Sequence, residues 1–141
     1  MNWWIFASGL LSLTTAAVHV FLGGPEVHLP VQANDGLTLE VRAVMAVVWH
    51  GISAILILSG VAKIYSACTG QIRSAIAFIA AQYLALAALF IGYGAIRFGS
   101  LLVIPQWTLF VVILATLGLG LRRRRAPSRV AAPAEVDRMM L

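Results

Sequence analysis

The sequence is poor in charge, in acid above all, and in cysteine. Among its 141 residues are 10 Lys or Arg, 5 Asp or Glu and one Cys, while 61% are hydrophobic and the mean hydropathy is +0.94. So few charges cannot cover the surface of a soluble domain of this length, which excludes water as the solvent for most of the chain and leaves lipid. The lone Cys68 excludes a disulfide within one chain and any CxxC metal or redox motif. No HxxxH or HExxH occurs, no nucleophile and base stand at usable spacing, and no glycine-rich loop leads into a helix to cradle phosphate. An internal repeat is missing too, which removes one argument for a transporter built from duplicated halves. No family-defining motif is present.

What the sequence has instead is four apolar runs. A helix needs about 20 such residues to cross the hydrocarbon core, and the runs fall at about 3–22, 41–64, 75–96 and 102–121. The first lacks a basic leader, is long for a signal-peptide core and begins with Trp3 and Trp4, which suit an interfacial anchor, so it reads as a retained span. Gly23, Gly24 and Pro25 are expected to stop it. Glu26 to Leu39 is polar, with Pro30, Asn34, Asp35 and Gly36 as turn formers, and reads as a short ordered loop. Ser66 to Ser74 reads as the second loop, and Phe98 to Ser100 begins the third. Pro105 falls in the expected first turn of the last span, where proline is tolerated. The expected fold is therefore an all-α membrane protein, a bundle of four transmembrane helices over residues 1–121, followed by a flexible basic tail, 122–141.

Six of the ten basic residues lie after position 121. That pattern describes a tail, not a basic face interleaved with aromatics, and it excludes a nucleic-acid partner. Lys63, Arg73 and the tail arginines fall on one side of the bilayer, and Arg42 and Arg97 on the other. This split predicts that both termini are cytoplasmic. Arg122, Arg123, Arg124 and Arg125 act first as a stop-transfer signal and then as a contact for anionic lipid of the inner leaflet.

Lipid supplies no hydrophobic drive between helices, so small and polar residues should mark the packed faces. Ser8, Ser12, Thr15 and His19 share one face of the first span, and Ala46, His50, Ser53 and Gly60 line the second. Ala77, Ala81, Ala85, Ala88 and Gly92 recur along the third, and Thr108, Thr116 and Gly120 along the fourth. All four stripes are expected to face inward. Gln82 reads as a buried amide that locks helix register, Arg97 as a snorkelling interfacial cation, and Trp107 as an aromatic-belt residue. Trp49 reads as either a lipid-facing ring or a pocket wall.

Three histidines fall towards the non-cytoplasmic side. Imidazole ligates zinc, copper and haem iron, and needs its second nitrogen oriented by another group. His19 and His50 are the candidate cofactor ligands. His28 and Glu26 would complete a metal site from the loop, and Thr15, Glu40 and Ser53 could orient the rings. The competing reading is that these histidines simply hydrogen-bond neighbouring helices. The leading expectation is a non-enzymatic accessory or subunit of a membrane assembly, in a homo-oligomer or larger complex of the bacterial inner membrane. Its alternatives are a histidine-based haem or transition-metal protein with an outward-facing site, and a small transporter or channel component.

Overall fold

A computed structural model describes residues 1–71 and 73–125, and within them the chain is helical with no strand. Helix α1 spans Trp3–Phe21, a π-helical turn Gly24–His28 leads into the short α2, Leu29–Gln32, and α3 spans Leu39–Thr69. Helix α4 spans Arg73–Phe98 and α5 spans Trp107–Arg125. Three stretches are long and apolar enough to cross a membrane: Trp3–Gln32, Leu39–Thr69 and Ser74–Phe98. The apolar part of α5, Trp107–Arg122, is shorter. At 1.5 Å per residue it falls short of the roughly 30 Å hydrocarbon core. The expected basic tail begins inside α5, which runs on through Arg125, and 126–141 lie outside the described residues.

Gly-Gly-Pro does not stop the first helix. Gly23 keeps right-handed helical geometry, and one π turn follows in which the Leu29 amide donates to the Gly24 carbonyl. A wider turn accommodates Pro25, which has no amide to donate and whose ring would crowd a normal turn. The expected loop is thus helical up to Gln32, and a turn over residues 33–38 returns the chain to α3. Gln32 Nε2 donates to the Arg42 carbonyl at 3.0 Å, and Arg42 Nη1 donates to the Gln32 carbonyl at 3.1 Å. This reciprocal pair clips the return to the first turns of α3. Thr38 caps α3 through the Val41 amide, and Gly70, with φ at 78°, ends it by donating to the Ser66 carbonyl at 2.9 Å. The helix therefore outruns the expected end at Ile64 by more than a turn. The last helix starts later than expected. Pro105 precedes α5, and the Trp107 indole donates to the Leu101 carbonyl at 3.0 Å, folding 101–106 back on themselves.

Helix α1 is the centre of the packing. It lies between α3 and α5, α4 packs on α5, and α3 meets α4 more loosely. Ile5, Leu56, Ile76, Tyr83, Ile113 and Leu117 fill the core. Two crossings are backbone-close. A Cβ at Gly9 would sit 2.9 Å from the Gly60 carbonyl and 2.7 Å from Ile64 Cγ1, and one at Gly120 would sit 3.0 Å from the Ile5 amide nitrogen. Asn2 fastens the same end. Its side chain caps α1 by accepting from Trp4 and Ile5 and donates to the Gly120 carbonyl at 2.8 Å, while its amide donates to the Ala67 carbonyl at 2.9 Å. One residue thus satisfies two amides that the start of α1 leaves open and a carbonyl that the end of α3 leaves open, and ties both to a carbonyl of α5.

The stripes divide. Ser8, Ser12 and Thr15 are buried, as are Ser53, Gly60 and Gly120, but Thr108 is exposed. The alanine stripe is turned the wrong way round from expectation: Ala77, Ala81, Ala85 and Ala88 are exposed, and α4 buries Ile76, Ile79, Tyr83 and Ala87 instead. Small residues permit close packing but do not compel it, and the large side chains one or two positions away fill the core. His50, too, is exposed rather than facing inward.

Candidate functional site

Two polar clusters stand out. The deeper one forms where Ser12, roughly midway along α1, meets α3 and α4. Lys63, the only lysine of the sequence, is fully buried and donates to Ser12 Oγ. The Tyr83 hydroxyl donates to the same oxygen at 2.8 Å, and Ser12 in turn donates to the Ser8 carbonyl at 3.1 Å. One donor and two acceptor positions are all that a serine hydroxyl has, so Ser12 is saturated. Lys63 Nζ also stands 4.4 Å from the centroid of the Tyr83 ring, a cation–π distance. Ser59 of α3 adjoins the Tyr83 hydroxyl as well. Ser8 Oγ extends the network to α5 by donating to the Ile113 carbonyl at 3.1 Å. Among the described residues no carboxylate pairs with Lys63, since the sole ion pair is Arg42 with Asp35, at 4.0 Å.

Sequence reasoning placed Lys63 at the mouth of a span and passed over Tyr83. Because α3 continues to Thr69, Lys63 lies about 9 Å inside the helix end, at 1.5 Å per residue. The available signal was its setting in an unbroken apolar stretch, Gly60-Val61-Ala62-Lys63-Ile64. A cation there is costly unless hydrogen bonds and π density replace its water.

The second cluster sits at the other end of α1. His19 stacks on Trp49, with centroids 3.8 Å apart and planes at 20°, and its Nε2 is 3.3 Å from the Trp49 carbonyl. His28, carried back over α3 by the π turn, lies near-parallel to the same indole at 5.4 Å and meets His50 edge-on at 5.3 Å. Gly23 leaves room for that indole: a Cβ there would be 3.0 Å from the Trp49 ring. Trp49 is therefore the wall of the cluster, and His28, more than His19 or His50, is its hub. His19 and His28 are half-buried and His50 is exposed, as are Glu26 and Glu40. Thr15 and Ser53 spend their hydroxyls on their own helices, on the Leu11 carbonyl at 2.8 Å and the Trp49 carbonyl at 3.1 Å. Among the described residues no group of three or more His, Cys, Asp or Glu is set to hold a metal ion. Arg97 and Arg122 are exposed near the ends of α4 and α5.

The chain matches no known protein family, no curated protein and no solved structure.

Proposed function

We propose that this protein is a multi-pass membrane protein of four spans, with both termini in the cytoplasm of a bacterial inner membrane, and that it acts as a non-enzymatic subunit of a membrane assembly. The observation that carries this reading is the Lys63–Ser12–Tyr83 centre. It draws α1, α3 and α4 onto one saturated hydroxyl, which suits a group that fixes helix register. The distribution of Lys and Arg supports the orientation. Arg122 to Arg125 then meet anionic headgroups, at about 1 kcal/mol for each cation near the surface.

Cys68 is exposed beside Thr69 and tests this topology. In whole cells it should react with a membrane-permeant thiol reagent and resist an impermeant one. A cysteine placed at Asn34, in a Cys68→Ser background, should react with both. Labelling of Cys68 by the impermeant reagent in sealed cells would reverse the orientation.

A second reading, a histidine-based metal or haem site, is favoured by one observation, the edge-on approach of His28 and His50 at 5.3 Å. Two imidazoles bound to one tetrahedral ion at about 2 Å have ring centres roughly 5 Å apart. His19 and Glu26 are the further candidate ligands. On this reading the purified protein holds stoichiometric zinc, copper or iron, or shows a Soret band. The signal should vanish in His28→Ala and His50→Ala, and weaken in His19→Ala. A metal-free, colourless protein whose melting temperature does not respond to added metals or haem would dismiss it.

A further inference from the structure

The loosest helix pair leaves a groove. Between α3 and α4 lies an opening of about 230 Å³ lined by Ile55, Leu58, Ser59, Ala62, Ile79 and Gln82. Leu58 at its edge is 69% exposed. Ser59 adjoins the Tyr83 hydroxyl. Gln82 is different: it is half-buried on the groove wall, and its carboxamide makes no hydrogen bond to any described residue. It stands nine residues into α4, about 13 Å from the helix start at 1.5 Å per residue. On the membrane reading above, that depth is hydrocarbon, where an amide without a partner is strongly disfavoured.

What could satisfy it there is limited. An acyl chain has no hydrogen-bonding group, and a lipid headgroup lies too far away along the helix. The groove is smaller than the roughly 300–1,000 Å³ of sites that enclose drug-sized ligands. A carboxamide, with two donor hydrogens and an acceptor oxygen, is its own complement. We propose that the α3–α4 groove is where a second copy of this chain docks, with Gln82 paired to the partner's Gln82 across a two-fold axis along the membrane normal. Such an interface is isologous and closes as a dimer. The neighbouring Ala81 and Ala85 are exposed and carry no bulk that would hold two helices apart.

The test uses the full chain in lipid vesicles, labelled with donor or acceptor dyes at Cys68, with energy transfer followed as lipid is added. The wild type should transfer energy in a manner that depends on the protein-to-lipid ratio. Gln82→Leu should dimerise roughly 3- to 30-fold more weakly, the range spanned by a side-chain hydrogen bond between membrane helices. Thr116→Val, which removes a hydroxyl bonded only within α5, should match the wild type. In a Cys68→Ser background with Gln82 intact, Ala85→Cys should oxidise to a disulfide-linked dimer, and Val111→Cys, exposed on α5, should not. The disulfide arm keeps the test decisive even if Gln82→Leu folds poorly. A wild type that stays monomeric overturns the proposal, whether or not an amphiphile or another protein occupies the groove. So does a folded Gln82→Leu that dimerises normally, or cross-linking through Val111 in preference to Ala85. Thiol accessibility reports topology separately, so failure of the pairing and failure of the four-span reading give different results.

Discussion

Gly9→Ala should destabilise the protein by about 1–3 kcal/mol, the usual penalty for an added methyl with nowhere to go, whereas Gly51→Ala should leave it unchanged or stabilise it by up to about 1 kcal/mol, the difference in helix propensity. Both glycines are helical, so propensity alone predicts a gain at each. Packing reverses the sign at one. A methyl at Gly9 would lie 2.9 Å from the Gly60 carbonyl oxygen, a backbone atom that moves only with its helix. At Gly51 nothing stands within 4 Å. Gly60→Ala is an intermediate case, because its new methyl meets Leu13 at 2.8 Å, and that flexible side chain can turn aside, before the Gly9 carbonyl oxygen at 3.1 Å. Reversible unfolding in mixed detergent would rank the three. Equal responses at Gly9 and Gly51 would mean that α1 and α3 do not cross where the structure places them.

Ser12→Ala and Lys63→Met should move stability in different directions, although they remove opposite ends of one hydrogen bond. Ser12→Ala leaves the Lys63 amine and the Tyr83 hydroxyl buried without their shared acceptor, which should cost about 1–3 kcal/mol, or more for a charged group. Lys63→Met removes the polar head along with its requirement and keeps most of the side-chain volume. By analogy with buried charges replaced by apolar residues, it should be neutral or stabilising by about 1–4 kcal/mol. In the double variant most of the Ser12→Ala penalty should disappear, leaving a coupling that a double-mutant cycle measures directly. Additive effects would show that Lys63 does not reach Ser12. If Lys63→Met instead lowers stability as much as Ser12→Ala does, the lysine is the structural tie and the serine merely its acceptor.

The histidine cluster was partly legible from the sequence and partly not. That His19, His28 and His50 fall towards one end of the molecule follows from their positions in the apolar runs. That His28 is the hub depends on Pro25, read as a stop, being absorbed by a π turn that carries the ring back over Trp49. The alanine stripe failed for a related reason. Helical periodicity names a face but not its neighbour, and in lipid either face of α4 is apolar enough to lie outside.

Composition and the length of the apolar runs determined that this chain is helical and apolar enough for a bilayer, but they read as four spans, and the structure leaves three helices long enough to cross, the apolar part of the last being shorter. Both conclusions are local: in lipid every backbone amide must find its partner within its own helix, so span length is written in consecutive residues. Tertiary structure alone decided which faces meet. The Gly9–Gly60 crossing, the three ends gathered by Asn2, and the seating of Lys63 on Ser12 and Tyr83 join residues far apart in the chain. Their contact depends on the rotation and depth of whole helices, which no single span encodes. A lysine six residues from a helix end can reach water or be sealed from it. Here the packing of α1 and α4 against α3 seals it.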